Sequence, residues 1–206
     1  MEQYDYSESA RMYDRQVKQY DSYGHDVLFG MSYQYVSGGQ KLLDIGIGTG
    51  LASEPFAKTG LKIYGLDISE DMLGACESKG FTEELRLYNM AEDSIPYPDD
   101  FFDLVLSCGV LHFIGDLSKL LADIRRVIRR GGVFSFSYAP GTSEADFASE
   151  PTAWGVPIYR HSPEYIRKHL SDNGMTIEKE QRLLIKGADK TSYNMEFSAI
   201  VARLPR

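Results

Sequence analysis

Cysteine and tryptophan are scarce in this chain, and long apolar runs are missing. The 206 residues include two cysteines and one tryptophan. Cys76 and Cys108 are too widely spaced for a CxxC pair, so they indicate neither a disulfide framework nor a metal cluster, and they fit a reducing compartment. No apolar run reaches the roughly 18 residues of a membrane-spanning helix, and the N-terminal stretch MEQYDYSESARMYD is polar, unlike a signal segment. We therefore expect a cytoplasmic protein with no membrane partner and no metal.

Basic residues are outnumbered by acidic ones. Lysine and arginine total 22 against 30 aspartates and glutamates, which gives a net charge of −8 near neutral pH. Because such a surface repels phosphate backbones, we expect no nucleic-acid partner. The densest basic stretch, IRRVIRR at 124–130, is predicted to form the last turns of a helix, where cations complement the helix dipole.

Apolar runs and helical stretches alternate along the middle of the chain. The runs KLLDIG, LKIYGLD, ELRLYNM, FFDLVLS and GGVFSFSYA are typical of strands, and most of the segments between them carry helix caps or helical periodicity. Short connections between alternating strands and helices favour a mostly parallel sheet with right-handed crossovers. Two further strands, within 175–187 and 191–204, are predicted to form an antiparallel hairpin at a sheet edge. The predicted fold class is therefore α/β, a doubly wound sheet of seven strands with helices on both faces.

The chain has a length that suits a single domain, 1–206, with four parts. Residues 1–36 are rich in tyrosine and are predicted to form one or two helices that break near Ser22. Residues 37–139 hold the alternating core, and 140–161 form a long loop that carries Trp154. Residues 162–206 contain a helix, capped by Ser162, and the hairpin.

The stretch LLDIGIGTG, residues 42–50, places three glycines behind an apolar run. A phosphate-binding P-loop would need a glycine and a lysine after position 50, and Leu51 closes that option. A dinucleotide fingerprint would need its third glycine at position 51 as well, so Leu51 also counts against a diphosphate. The pattern indicates a turn that lets the backbone approach a ligand closely without a diphosphate cradle.

Two aspartates narrow the choice of ligand. Asp67 ends the second predicted strand, where a carboxylate can accept hydrogen bonds from both hydroxyls of an adenosine ribose. Asp44 lies inside the glycine run, where its negative charge would hinder a diphosphate but would favour a ligand that carries positive charge.

The ordered set LLDIGIGTG, IYGLDIS, AEDSIPYPDDFFDLV and SCGVLHF resembles the successive motifs of class I S-adenosylmethionine-dependent methyltransferases. The resemblance covers residues 36–139, and the ending is similar to the small-molecule branch with a methyltransferase type 11 or 25 core. It implies a Rossmann-like sheet with an antiparallel seventh strand. It also implies S-adenosylmethionine as methyl donor, S-adenosylhomocysteine as product, and a small molecule as acceptor.

The resemblance implies a set of cofactor-binding residues spread over the successive motifs. Ile47 stands where the family usually has a small residue, which we expect to be tolerated because the backbone makes the contacts there. The adenine-binding acid after the third strand has no clean equivalent; Met90, Ala91, Glu92 and Asp93 compete, and we favour the Ala91 backbone with Glu92 or Asp93. The whole predicted set is Asp44, Gly46, Ile47, Gly48, Gly50, Asp67, Ile68, Met72, Ala91, Glu92, Asp93, Ser107, Tyr13 and Tyr20.

The acceptor side is less defined by the sequence. His112 follows the fourth strand and is the candidate general base, needed only if the acceptor loses a proton; its alternative is a wall residue. His161, Tyr159 and Tyr138 are further candidates, and the loop 140–161 either shapes an acceptor pocket or is a surface loop. Tyr13 and Tyr20 either close over the donor as a lid or only pack helices against the sheet.

Other functions stay open from the sequence. A protein methyltransferase or an inactive cofactor-binding assembly protein would share these motifs, whereas a nicotinamide-dependent oxidoreductase is disfavoured by Leu51. The chain also lacks, after the fourth strand, the Asn/Asp-Pro-Pro-aromatic tetrad with which related enzymes hold a planar amide or base nitrogen.

Overall fold

A seven-stranded sheet with helices on both faces forms the centre of the molecule. The structure is a computed structural model that describes residues 6–19, 22–142, 145–152, 155–186 and 194–206. In these ranges the helices are α1 Tyr6–Gln19, α2 Gly24–Ser32, α3 Glu54–Lys58, α4 Glu70–Glu77, α5 Ser118–Val127 and α6 Pro163–Asp172. The strands are β1 Lys41–Ile45, β2 Lys62–Asp67, β3 Thr82–Leu87, β4 Phe102–Ser107, β5 Ile128–Tyr138, β6 Phe147–Glu150, β7 Ile158–His161, β8 Thr176–Lys186 and β9 Asn194–Arg203.

The strand order confirms the predicted doubly wound topology. The large sheet runs β3-β2-β1-β4-β5-β9-β8. The first five of these strands pair in parallel, and β9 pairs antiparallel with both β5 and β8. The chain reverses its direction of winding between β1 and β4, and in such sheets ligands bind outside the carboxyl ends of the strands at this point.

Successive residues of the central strands enter two separate cores. On β1, Leu42 packs with Leu28 of α2 and Phe56 of α3. The next residue, Leu43, packs on the opposite face with helices α5 and α6, through residues such as Leu121 and Ile166. Because both faces are covered, β1 and β4 are apolar along their length, as parallel strands usually are. None of the helices in the described ranges is long and apolar enough to cross a membrane.

The predicted helix over the basic stretch ends one turn early. α5 stops at Val127, and Ile128 already has extended dihedrals, φ −82° and ψ 130°. Ile128 is fully buried and pairs with Phe102 of β4, so packing against the sheet overrides the helical periodicity. The prediction that 129–130 lie in a helix is therefore wrong. Arg129 instead forms an ion pair from β5 with Asp103.

The predicted loop 140–161 contains a short β-ribbon that the sequence did not indicate. Strands β6 and β7 pair antiparallel as a separate two-stranded sheet. Trp154 lies outside the described residues, as do 187–193 between β8 and β9. The start of α6 agrees with its sequence signal, since the Ser162 side chain accepts a hydrogen bond from the Tyr165 amide at 3.1 Å and Pro163 is the first helical residue.

Candidate functional site

A cavity of about 560 Å³ opens at the carboxyl ends of β1, β2 and β4, beneath α1. It brings together residues that are far apart in the chain, from the first helix to the last strand. The sequence-predicted residues that line it are Tyr13, Gly46, Ile47, Gly48, Asp67, Ile68, Met72, Ala91 and His112.

The turn after β1 has a backbone that only glycine adopts easily. Gly46 and Gly48 have φ values of 74° and 55°. A Cβ at Gly46 would lie 2.5 Å from the Val110 side chain, whereas the space beside Gly48 is open within 4 Å. The amides of Gly46 and Ile47 both donate to the Leu66 carbonyl, at 2.8 and 3.0 Å. The turn is therefore fastened to β2 while its Gly48 side remains accessible to a ligand.

The third glycine of the motif has a different task from the first two. A Cβ at Gly50 would lie 2.5 Å from the Phe81 ring and 2.8 Å from the Cys76 sulfur. Gly50, with φ 81°, thus allows α4 and the segment before β3 to pack closely, and it does not line the cavity. Gly65 on β2 explains the unusual Ile47, because a Cβ there would lie 2.5 Å from the Ile47 side chain.

Asp67 connects the glycine turn to helix α4. One carboxylate oxygen accepts from the Gly48 amide at 2.8 Å, and the other accepts from the Ser69 amide at 3.0 Å. The Ser69 hydroxyl in turn caps α4 by accepting from the Met72 amide. Burial raises the pKa of Asp67, and these backbone hydrogen bonds oppose that shift. Its carboxylate is held rigidly at the wall of the cavity.

Asp44 lies beneath the turn rather than on the cavity wall. It is 1% exposed and accepts a hydrogen bond from the Ser53 hydroxyl. Burial, with a smaller contribution from the negative charge of Asp67, raises the pKa of Asp44 to about 7, although the Ser53 hydrogen bond opposes the shift. Asp44 can therefore act on a ligand through its charge, while direct contact is blocked by the turn.

The residues after β3 that line the cavity lie earlier in the chain than predicted. Asn89 and Met90 line the cavity together with Ala91, whereas Glu92 and Asp93 do not. The Asp93 carboxylate accepts from the Asn89 amide at 2.8 Å, so it stabilises this turn from outside. Asn89 was not among the predicted residues, because the register of this segment against the family motif is ambiguous.

Another residue predicted to bind the cofactor, Ser107, does not line the cavity. Ser107 is fully buried and donates to the Ile45 carbonyl at 3.0 Å, which ties β4 to β1. Its neighbour Cys108 lines the cavity instead, and burial raises the pKa of the Cys108 thiol to about 12. Tyr20 lies outside the described residues.

Helix α1 forms one wall of the cavity and is fastened by a carboxylate. Tyr13 lines the cavity, and the next residue, Asp14, accepts a hydrogen bond from the Thr49 hydroxyl inside the glycine turn. Asp14 also forms an ion pair with Lys79, at 2.6 Å, just beyond the end of α4. The position of α1 is thus linked to the glycine turn and to the end of α4 through Asp14.

His112 is the one predicted acceptor-side residue that lines the cavity. It is 8% exposed, lies in a 3-10 turn, and its ring packs against Phe113 and Phe197. Burial, with smaller contributions from the nearby His161 and Arg160, lowers the pKa of His112 to about 4. Its Nδ1 has no hydrogen-bond partner among the described residues. His112 is therefore an uncharged imidazole at neutral pH.

The remaining acceptor-side candidates lie away from the described cavity wall. His161 is fully buried, and its Nε2 lies 2.8 Å from the Gly115 carbonyl oxygen. Tyr138 is 1% exposed inside the core, and Tyr159 packs near Gly115. None of the three reaches the cavity, so the geometry offers them no contact with a reacting atom.

Some cavity residues come from places where the local sequence has no functional signal. Leu183 of β8 and Phe197 of β9 reach the acceptor side from the C-terminal hairpin, and only the folded sheet brings them beside His112. Val156 also lines the cavity, and it belongs to the loop 140–161, for which an acceptor pocket was one of the two predictions.

Comparisons with known proteins identify the family of the chain. A family model described as a methyltransferase domain matches residues 43–136. The ubiquinone/menaquinone biosynthesis C-methyltransferase UbiE of Cupriavidus metallidurans is 31% identical over 181 residues, covering 75% of this chain and 71% of that protein. The demethylmenaquinone methyltransferase of Tropheryma whipplei is 28% identical over 139 residues, covering 66% of this chain and 53% of that protein.

A solved structure supports the same fold. The 1,6-didemethyltoxoflavin-N1-methyltransferase of Burkholderia thailandensis, with bound 1,6-didemethyltoxoflavin and S-adenosylhomocysteine, has a TM-score of 0.70 at 16% identity. The match covers 98% of this chain and 84% of that chain. The protein therefore belongs to the class I S-adenosylmethionine-dependent methyltransferases, in the family of this methyltransferase domain. The chain spans about half the length of the Tropheryma relative, 53%.

The raised pKa of Asp44 predicts a stabilising substitution. Because the folded pKa lies above the unfolded value, the contribution of Asp44 to stability is present below about pH 4 and is lost as the pH rises through about 7. We expect Asp44→Asn, whose amide oxygen can still accept from Ser53, to raise the free energy of unfolding by about 1–3 kcal/mol at pH 8.5. At pH 3.5, where Asp44 is protonated in both the folded and the unfolded state, the gain should nearly vanish. Urea unfolding at both pH values measures this, with the surface variant Asp172→Asn as control; a loss of stability at pH 8.5 would contradict the account.

The Asp14 contacts predict a local effect on α1. A partly exposed ion pair contributes about 1 kcal/mol or less, so Asp14→Asn should barely change global stability. Local opening of α1 should nevertheless become about two- to fivefold more frequent, and trypsin should cleave faster after Arg15 and Lys18. Glu54→Gln removes a comparable surface pair with Lys58 and serves as the matched control. Equal cleavage rates in α1 for all three proteins would show that Asp14 does not hold the helix.

Proposed function

We propose that the protein transfers the methyl group of S-adenosylmethionine to a small-molecule acceptor by in-line displacement. The bond between sulfur and methyl breaks as the bond between acceptor and methyl forms, the sulfonium becomes a neutral thioether, and an acceptor that carried a proton releases it. The observation that carries the proposal is the juxtaposition of the open Gly48 side of the turn with the Asp67 carboxylate, in one cavity.

The donor end of the cavity fits this cofactor in three respects. Two backbone hydrogen bonds fix the direction of the Asp67 carboxylate at the cavity wall, which supports its proposed role as the acceptor of hydrogen bonds from the ribose hydroxyls. Gly46, Ile47 and Gly48 offer bare backbone to the aminoacyl tail. Ile68 and Met72, with Asn89 to Ala91, supply a largely apolar slot for adenine.

The charge pattern favours a cation over a diphosphate. Asp44 and Asp67 both lie close to the turn, and no lysine or arginine of the described residues lines the cavity. A ligand that carries an ammonium and a sulfonium would be attracted by these carboxylates, whereas two phosphates would be repelled. This argument supports the methyl donor over a nicotinamide dinucleotide.

The main task left to the protein is alignment and exclusion of water, because the donor already carries a good leaving group. Helix α1 covers the donor end with Tyr13 and is fastened there by Asp14. His112 is proposed as the acceptor-side contact. Its low pKa makes it a weak base, so we propose that it orients the acceptor by a hydrogen bond rather than taking a full proton.

The names of the compared proteins give different acceptor molecules, so they support a class of acceptor and not one compound. Two of the three compared proteins are named for demethylmenaquinone or for ubiquinone and menaquinone biosynthesis, and the third for 1,6-didemethyltoxoflavin. One name specifies a carbon acceptor and another specifies N1. All three are named for small molecules, which supports that class over a macromolecule.

The proposal also includes a cytoplasmic location and no nucleic-acid partner. The two cysteines are unpaired, which fits a reducing compartment. The net charge of −8 would repel a phosphate backbone.

Calorimetric titration tests the proposed function. We expect S-adenosylmethionine and S-adenosylhomocysteine to bind with dissociation constants of about 1–100 μM, since relatively few charged contacts are desolvated. NADH and NADPH should not bind. Binding of a nicotinamide dinucleotide in place of S-adenosylhomocysteine would overturn the proposal. Binding of both sulfur compounds without methylation of any acceptor in a broad panel would favour the inactive assembly protein instead.

A further inference from the structure

The cavity has two ends with different chemistry. The ends of β1, β2 and β3 form the donor end, which contains Asp67 and the glycine turn. Because β4, β5, β9 and β8 follow in that order on the other side of β1, the residues they contribute lie at the opposite end. We call this the acceptor end, and its apolar members are Phe113, Ile114, Val156, Leu183 and Phe197.

No permanently charged side chain of the described ranges lines the acceptor end. Asp67 is the one aspartate, glutamate, lysine or arginine in the described lining, and it lies at the donor end. Arg160, whose charge contributes to the lowered pKa of His112, does not line the cavity and forms an ion pair with Glu150 at 2.8 Å. His25 lines the cavity, but its Nε2 lies 3.5 Å from the Asp26 carboxylate, so any charge on its ring is already matched.

The polar groups at the acceptor end are mostly engaged within the protein. The Ser137 hydroxyl accepts from the Gly109 amide at 2.8 Å and also bonds with Cys108. His112 differs, because its Nδ1 is buried and has no hydrogen-bond partner among the described residues. A buried polar atom without a partner costs free energy, so a ligand that supplies the partner is favoured.

We propose that the acceptor is an uncharged, mainly apolar molecule that presents a hydrogen-bonding group to His112. The inference rests on the proposed methyl transfer and narrows its substrate class. An acceptor recognised through a carboxylate, phosphate or ammonium would bury that charge against phenylalanine, leucine and valine, with no counter-ion among the described lining residues. Burial of an unpaired charge is costly enough to exclude such groups from the inner part of this end.

Matched probes test the proposal in the complex with S-adenosylhomocysteine. 2-Naphthol, 6-hydroxy-2-naphthoate and 6-(aminomethyl)-2-naphthol share one ring system and differ in charge. We expect 2-naphthol to bind at least about tenfold more tightly than either charged probe, measured by calorimetry at saturating S-adenosylhomocysteine. Tighter or equal binding of a charged probe contradicts the proposal. Binding of none of the probes also contradicts it, because an apolar cavity of this size should retain an uncharged two-ring compound.

Arginine substitutions at two neighbouring leucines test whether the lining of the acceptor end sets the preference for charged or uncharged probes. Leu183 lines the acceptor end, whereas Leu184 is 63% exposed and does not line it. We expect Leu183→Arg to reverse the preference toward 6-hydroxy-2-naphthoate, because the new guanidinium pairs with the carboxylate. Leu184→Arg should leave the preference unchanged. Identical probe selectivity in the two variants would show that the lining does not set the acceptor class.

The cofactor serves as the internal control that separates the two proposals. If S-adenosylhomocysteine itself fails to bind, the proposed function is wrong. If it binds with the same affinity to the wild type and to both arginine variants, while the probes violate the expected order, the methyl-donor site stands and the acceptor class is wrong.

Discussion

The hydrogen bond from the Gly48 amide to Asp67 is the contact on which the donor end depends. It joins the turn after β1 to the last residue of β2 across 2.8 Å. The parallel register, with Ile45 beside Leu66, brings both strand ends to the same level, and the positive φ of Gly48 belongs to the turn that presents the amide. Because Asp67 also accepts from Ser69, the same carboxylate sets the start of α4. A shift of β2 against β1 would therefore disturb the turn, the carboxylate and the helix together.

Negative charge around this turn is only partly neutralised by the protein. Asp14 has Lys79 as a cationic partner, whereas Asp44 is buried and accepts a hydrogen bond from the Ser53 hydroxyl, and burial raises the pKa of both Asp44 and Asp67. A cationic ligand would favour the ionised forms of these two carboxyl groups, and its binding affinity would increase as they ionise. The acceptor end shows the opposite character, with apolar walls and an uncharged His112. The contrast between the two ends follows from the sheet, since each end is built by different strands.

The alternation of strands and helices predicted the doubly wound sheet, because this pattern is local in the chain. The spacing within 42–72 likewise predicted the glycine turn, the position of Asp67 at the end of β2 and the Ser69 cap. Asp44 and Gly50 were predicted to contact the cofactor, but in the structure they stabilise the turn from its buried side. This difference depends on their packing with Phe81, Cys76 and Ser53, which are brought close by the fold.

The acceptor end could not be predicted in the same way. Leu183 and Phe197 have the alternation of an ordinary hairpin, and Val156 belongs to a loop without a motif. Their place beside His112 depends on β9 inserting between β5 and β8, which is a long-range pairing. The same kind of pairing, Ile128 with Phe102, ended α5 earlier than its periodicity predicts.

The affinity of Asp67→Asn for S-adenosylhomocysteine tests the central claim most directly. Charge-assisted hydrogen bonds contribute about 1.5–3 kcal/mol, so the substitution should weaken binding by about 10- to 100-fold in calorimetric titration. Glu92→Gln, which changes a residue outside the described cavity lining, should bind as the wild type does. An unchanged affinity in Asp67→Asn, with the protein still folded by circular dichroism, would contradict the assignment of this carboxylate to the donor.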